Sequence, residues 1–337
     1  MKTWKSKRGV YLIAEVGGNH EGDFEKAIEL AELACKSGAD AVKFQIYSAD
    51  SLVSKMEEPK RHAHFKKLEL LPEQHIALAE ICRDNGVTYT ASVWDMNALE
   101  WIDPYMKFYK IGSGDLTAYP ILEKIARIGK PIIVSTGLAT LEEIKGTVQF
   151  LQSINDRYKQ RDYLALLQCT TSYPNIESEV NLRVMKTLKK EFSLTVGYSD
   201  HTRDSYAAQI AVAMGAEILE LHFTDNKLRE NFRDHQISFT NDDIQKLVCD
   251  LERIKTLEGS LIKKPTEGEI KSGHIKSFRR GVYALRDITK EEIIDEYNSG
   301  LLRPKQDLDL DAYKDWKGKK LNRSVKKFHR IDQSFLY

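Results

Sequence analysis

Cysteine is scarce in this chain of 337 residues: there are four, Cys35, Cys82, Cys169 and Cys249, and no two form a CxxC pair. That scatter excludes a disulfide framework or a thiolate metal knuckle, and three of the four fall in predicted helices, where a free thiol behaves as a small hydrophobe. Charge of one sign is lacking too, since 51 Lys and Arg face 50 Asp and Glu. No bulk field draws the protein to nucleic acid or an anionic membrane, so any anionic ligand must be held by local groups. Long apolar runs are missing, and the basic N-terminal stretch MKTWKSKRGVYLIAEV has only a short one, without a small-residue cleavage pattern. The expectation is a soluble, unsecreted, cytoplasmic protein with no nucleic-acid and no membrane partner.

What the chain does have is alternation. Short β-rich runs at 11–16, 41–47, 87–93, 108–112, 131–135, 163–169, 194–198 and 217–222 are separated by amphipathic segments such as FEKAIELAELACKSG, EQHIALAEICRDNG and YPILEKIARIG, several closed by glycine. Eight such repeats predict an α/β fold, a (β/α)8 TIM barrel. A doubly wound sheet would need a GxGxxG after a strand, and there is none. The barrel domain is expected over 1–262, ending on the helix NDDIQKLVCDLERIKTLEG. The polar, Pro- and Gly-bearing stretch 263–276 reads as a linker. Residues 277–337 are then a small separate module with little core of its own, which must dock on the barrel or on a second subunit.

In such barrels the downstream strand ends share one face, where chemistry is done. Here those ends carry Glu15, Lys43, Gln45, Ser92, Lys110, Ser113, Ser135, Thr170, Thr171, Ser199, His201 and His222. Lys43 in AVKFQIY and Lys110 in FYKIGS lie inside strands, where an unpaired charge is costly, so a bound anion is their expected partner. Two neutral imidazoles on neighbouring strands, His201 and His222, suit a divalent metal such as Mn²⁺, Fe²⁺, Co²⁺ or Zn²⁺. A lone His222 would equally be a hydrogen-bonded core residue; the pairing with His201 favours the metal. Ser113 or Ser135 alone would read as a turn or cap residue, and only the shared location argues for binding. His20 either orients a ligand or occupies a turn, while Asn19 and Asp23 are candidate helix caps. His62, His64, His75 and His274 lack ligand spacing to the pair and are expected at the surface.

The strings AEVGGNHEGD, AVKFQIY, FYKIGSGD, KPIIVSTG, LQCTTSYP, VGYSDHT and LELHFT together resemble the sialic acid synthase family, which includes N-acetylneuraminate, legionaminate and pseudaminate synthases. The likeness runs in order from about residue 11 to 235, and the tail FRRGVYALRDITKEEII…LLRP resembles that family's antifreeze-like (SAF) domain. The resemblance implies condensation of phosphoenolpyruvate with an open-chain N-acylated amino sugar, N-acetylmannosamine or a 2,4-diacetamido hexose, to a nine-carbon α-keto acid. It implies a divalent metal, Mn²⁺ in first place with Mg²⁺ or Co²⁺ as alternatives, held by His201 and His222. Carried over by motif, Lys43, Ser92, Lys110, Ser113, Ser135, Thr171 and Ser199 bind phosphoenolpyruvate, with Lys43 and Lys110 also offsetting charge in the reaction. Glu15, Gln45, Tyr173 and Asp234 match positions on the sugar side. The same likeness implies a domain-swapped homodimer in which Arg303 of LLRP reaches the partner's barrel.

Three departures fall in the barrel, and the tail departs too, with Lys305 rather than Gly after Arg303-Pro304 and a closing VKKFHRIDQSFLY unlike the family's usual ending. The family's IGSGE is IGSGD, so Asp115 would serve as catalytic acid/base with a shorter arm. Thr171 follows CT where Asn or Ser is common. The segment usually reading PGPDH is NFRDH. Two other readings compete: a Schiff-base pyruvate aldolase using Lys43 or Lys110, and a non-catalytic sugar-binding protein of the same fold.

Overall fold

Inside-outside alternation along eight short strands organises the first part of the molecule. The computed structural model describes residues 3–4, 6, 8–228, 232–305 and 316–337, which divide into two compact units, Met1–Gly259 and Ser260–Tyr337. In the first, β1 (Tyr11–Glu15), β2 (Ala41–Ile46), β3 (Thr88–Val93), β4 (Tyr109–Ile111), β5 (Ile132–Ser135), β6 (Leu164–Cys169), β7 (Thr195–Asp200) and β8 (Ile218–His222) form a closed barrel. All eight neighbouring pairs are parallel. The expected strands are all present. β7 runs to Asp200, beyond its expected end at 198, so Ser199 is a strand residue.

Side chains two apart along a strand share a face, and on the inner face they change character from bottom to top. Tyr11, Ile13, Ala41, Phe108, Ile133, Ala165, Leu167 and Ile218 pack with Trp4 into one buried apolar cluster. Trp4, Tyr11 and Phe108 meet edge to face with centroids 5.1–6.2 Å apart, closing the bottom of the barrel. One pleat higher the same strands present Glu15, Lys43, Lys110, Ser135, Cys169 and Glu220. Registry sets them side by side: Glu15 pairs with Lys43 and with His222, Ser92 with Lys110, and Ser199 with both Cys169 and Glu220. The apolar floor thus positions a polar layer. Gly197 has no room for a side chain, because a Cβ there would stand 2.3 Å from the Ile218 carbonyl.

Outside, the barrel is wrapped by helices whose apolar stripes face the strands, with Leu30, Leu122 and Leu151 fully buried. The helix Phe24–Lys36 starts on Asp23, which accepts from the Lys26 amide, so Asp23 is a cap. Leu141–Ile154 and Asn241–Glu258 start on reciprocal Thr140/Glu143 and Thr240/Asp243 boxes. Asn19 ties the loop after β1 to that after β8, donating to the Phe223 carbonyl and to Ser238 Oγ. His20 occupies the turn, its Nδ1 accepting from the Gly22 amide.

The histidines partly overturn expectation. His64 and His274 are exposed, but His62 and His75 are buried. His75 shares the inner stripe of helix Pro72–Asp84 with Leu78, Ala79 and Cys82 and bonds Tyr89 Oη at 3.1 Å. His62 Nε2 lies 2.8 Å from Asp50 Oδ1. The reason is helical period: three and four residues from an apolar position is an inward position.

The second unit has a three-stranded antiparallel sheet in the order β10-β9-β11, from β9 (Gly281–Ala284), β10 (Ser299–Leu302) and β11 (Arg330–Ile331). Val282, Ala284, Ile288, Ile294, Trp316, Leu321, Val325 and Ile331 make its core. The stretch expected as a linker holds two short helices, Glu267–Lys271 and His274–Ser277, the second reaching just past its end. Among the described residues no helix is long and apolar enough to cross a membrane.

Burial pushes His20 down to about 4 and His75 to about 3. Both therefore bind protons less readily folded than unfolded, so stability present above pH ~6.5 is lost as the pH falls toward those values. His75→Gln, which retains a hydrogen-bonding group for Tyr89, should remove about 3 kcal/mol of the stability lost between pH 6.5 and 4. Urea unfolding across that range measures it, and an unchanged pH slope would contradict the assignment.

Candidate active site

Two lysines inside a closed barrel need partners, and the protein supplies them. Lys43 Nζ lies 2.7 Å from Glu15 Oε2 and 3.5 Å from Glu220 Oε1. Lys110 Nζ lies 3.1 Å from Glu220 Oε2. The sequence pointed to a bound anion as their partner; in the protein each lysine faces a carboxylate, because a buried ammonium without one would be too costly. Glu220 escaped the sequence reading, which collected strand ends only. The signal was there, since Glu220 stands two residues before His222 and must share its face.

The four charges shift one another. Burial alone would push Glu220 up, but Lys110 and Lys43 together pull it below the usual carboxylate range. Burial holds Glu15 above that range despite Lys43. Lys43, with two carboxylates against burial, is held above its usual value, whereas burial wins at Lys110 and lowers it. Hydroxyls complete the layer. Lys110 Nζ donates to Ser135 Oγ at 2.7 Å, and Lys43 Nζ to Ser92 Oγ at 3.3 Å. Gln45 Nε2 donates to Glu15 Oε1 at 2.9 Å.

The imidazoles stand at the edge of this layer, both buried, with ring centroids 5.3 Å apart. His201 Nδ1–H donates to the Thr170 carbonyl at 2.8 Å, which fixes the tautomer with the Nε2 lone pair free. Among the described residues His222 Nδ1 is buried without a hydrogen-bond partner, and burial holds the ring's pKa well below its usual value, in the neutral form. The Tyr173 ring lies 4.1 Å from that of His201 and 5.8 Å from that of His222. Asp234 Oδ2 is 3.9 Å from His222 Nδ1, and its other oxygen accepts from Arg233 Nε at 3.2 Å. Arg233 in turn sits 4.8 Å over Tyr173.

Comparison with known proteins now decides the family. The NeuB family model matches residues 30–263. An N,N'-diacetyllegionaminic acid synthase of Legionella pneumophila is 36% identical over 87% of this chain and 85% of its own length. One from Campylobacter jejuni is 34% identical over 94% of this chain and 96% of its own. The chain belongs to the sialic acid synthase family. A solved N-acetylneuraminic acid synthetase of Leptospira borgpetersenii, in complex with citrate, superposes on this sialic acid synthase homologue with a TM-score of 0.70 at 29% identity, covering 79% of this chain and 90% of its own.

The donor set of this family member fits a divalent metal. One imidazole has its open nitrogen set by a carbonyl bond, the other has an orphaned buried nitrogen, and the second is held in the neutral form that ligation needs. Among the described residues no group of three or more His, Cys, Asp and Glu is placed to hold a metal ion.

The other expected residues are distributed unevenly. Ser199 is buried in β7 beside Glu220. Ser113 Oγ accepts from the Gly137 amide at 3.0 Å. Thr171 has a buried hydroxyl with no partner, close enough to Gly137 that a Cβ there would stand 2.3 Å from it. Asp115 ends the 3₁₀ turn Ser113–Asp115, and burial raises its carboxyl against the pull of Lys110. Arg303 belongs to the second unit, where it lies 5.6 Å over Phe278. Of NFRDH, Asn231 lies outside the described residues. Trp94, Cys169 and Arg233 were not anticipated. Cys169 Sγ is 3.9 Å from His201 Nδ1.

Glu220→Gln leaves Lys110 buried without its carboxylate and should cost about 3 kcal/mol. An anion binding there would take the carboxylate's place. Phosphoenolpyruvate or phosphate should therefore raise the Tm of the variant more than that of the parent; equal shifts would mean the anion does not meet Lys110.

Proposed function

We propose that this protein condenses phosphoenolpyruvate with an open-chain N-acylated amino sugar, releasing phosphate and a nine-carbon α-keto acid. The observation that carries this reading is the union of two half-sites on one barrel face: a lysine and hydroxyl layer suited to a phosphate and a carboxylate, and a buried imidazole pair suited to a metal. The names of the relatives support a 2,4-diacetamido hexose as acceptor, with N-acetylmannosamine and its 6-phosphate as competitors. Both lysines are engaged by carboxylates, which weighs against a free amine for Schiff-base chemistry.

His201 and His222 would hold the divalent ion, Mn²⁺ first, and when bound it would supply Lewis-acid polarisation of the aldehyde. Lys43 and Lys110, with Ser92, Ser113, Ser135, Thr171 and Ser199, bind the phosphate and carboxylate of phosphoenolpyruvate and offset their charge. Glu15, Gln45, Tyr173 and Asp234 orient the acceptor. The C3 carbon of the enol phosphate forms a bond to the aldehyde carbon, whose oxygen takes up a proton. Water adds at C2 and loses its protons, one of them through Asp115, and the C2–O bond to phosphate breaks to leave the ketone. A carboxyl raised above its usual value is suited to that proton transfer near neutral pH.

The second unit we assign as an antifreeze-like domain that covers the barrel of a second copy, with Arg303, just after β10, reaching its site. Met56, Met96, Leu138, Ile176 and Leu228, in the loops after five of the strands, are 41–88% exposed, apolar surface on the mouth loops that a second copy would cover. Light scattering of the full chain should give a dimer; a monomer at micromolar concentration would contradict this arrangement.

The activity itself is tested by incubating the protein with phosphoenolpyruvate, Mn²⁺ and each of N-acetylmannosamine, its 6-phosphate and 2,4-diacetamido hexoses, and measuring phosphate. One acceptor should support release, and His201→Ala and His222→Ala should each lower it at least ~100-fold with the fold intact. Release from none of the acceptors would refute the reading, and full activity in both variants would refute the metal assignment.

A further inference from the structure

A buried hydrogen-bond donor without an acceptor is rare enough to require a reason, and Trp94 has one. Its Nε1 is fully buried and, among the described residues, has no partner in hydrogen-bond geometry. The residue itself is well fixed. It follows β3 directly, its amide donates to the Ile46 carbonyl at 2.8 Å, and its ring stacks on Tyr47 with centroids 5.3 Å apart and planes 26° from parallel. Tyr47 is braced edge-on by Phe65, 5.3 Å away. A ring held this firmly aims its N–H at one place.

That place is beside Asp115. Gly112 lies between the two: a Cβ added there would find only two side-chain polar atoms within 4 Å, Asp115 Oδ2 at 3.6 Å and Trp94 Nε1 at 3.9 Å. The absent side chain leaves the gap between donor and carboxylate open. The backbone of Asp115 is also fixed, its amide donating to the Gly112 carbonyl and its own carbonyl accepting from Ala118. Only the short side chain is free to swing.

We propose that Trp94 is a positioning residue for Asp115, its indole N–H holding the carboxylate in the orientation in which it exchanges a proton with the reacting water. This rests on the proposed role of Asp115. An aspartate has one fewer rotatable bond than a glutamate and a shorter reach, so a fixed donor at its flank decides where its free oxygen points. The charged group facing the carboxylate is Lys110 from β4, itself neutralised by Glu220 from β8. Burial raises Asp115, while Lys110 and the Trp94 indole draw it back down.

Two measurements on the full chain test this. The first needs no turnover. The chain has four tryptophans, so the Trp94 indole ¹H–¹⁵N resonance is assigned by its loss in Trp94→Phe. It should shift sigmoidally with pH as Asp115 ionises and lie flat in Asp115→Asn; a flat resonance in the parent protein overturns the contact. The second uses phosphate release. Trp94→Phe keeps the ring and loses the N–H, and should lower kcat about tenfold, leave the KM for phosphoenolpyruvate within about twofold, and move the acidic limb of kcat/KM upward. Trp94→Phe/Asp115→Glu, with its longer arm, should regain most of the loss. An unchanged kcat and acidic limb in Trp94→Phe, or a loss the double variant does not relieve, overturns the positioning role. Failure of every acceptor would refute the synthase reading while the indole titration still decides the contact.

Discussion

Two ammonium groups placed inside a closed barrel set the terms for everything above them. Lys43 and Lys110 are buried, and the free energy of an isolated charge there would exceed the whole stability of an ordinary domain. Glu15 and Glu220 offset them, and the four side chains come from four different strands, β2, β4, β1 and β8. Neutrality of this layer therefore depends on correct registry around the barrel. A slip of one residue would turn every one of these groups outward. The layer is a constraint on the fold as much as a feature of the site.

The same layer sets what the mouth can bind. The carboxylates of Glu15 and Glu220 face the ammonium groups, and the hydroxyls of Ser92 and Ser135 are turned to them. On the proposed function, an anionic substrate would exchange one partner for another instead of meeting bare charge. The imidazole pair lies two residues beyond the layer, His201 just after β7 and His222 at the end of β8, so its place follows from the same registry. Tyr173, Asp234 and Arg233 stack and bond around that pair and make the wall on the other side.

Much of this was legible in the sequence because strand and helix periods are simple. Eight strands, the shared face and the convergence of Lys43, Lys110, His201 and His222 follow from alternation and from counting. The roles given to the serines and to Asp115 came from resemblance, and for most of them the structure adds location and partners. What escaped was local pairing. Glu220 was missed because only terminal residues of each strand were gathered, although period two points to it. His75 was placed outside because a histidine was weighed by type and not by its position on a helical stripe. Arg233 over Tyr173, and Trp94 beside Gly112, join loops far apart in sequence, and no local pattern encodes such meetings. The two helices in the stretch expected as a linker were hidden because five and four residues are too few for an apolar period to show.

The central claim is that the imidazole pair and the lysine layer are two halves of one site. Diffraction from crystals of the full chain grown with Mn²⁺ and phosphoenolpyruvate tests it most directly. The account predicts an anomalous peak shared by His201 and His222, with the phosphate and carboxylate of phosphoenolpyruvate within hydrogen-bond distance of Lys43 and Lys110 on the same barrel face. A metal bound elsewhere, or phosphoenolpyruvate seated away from both lysines, would contradict it.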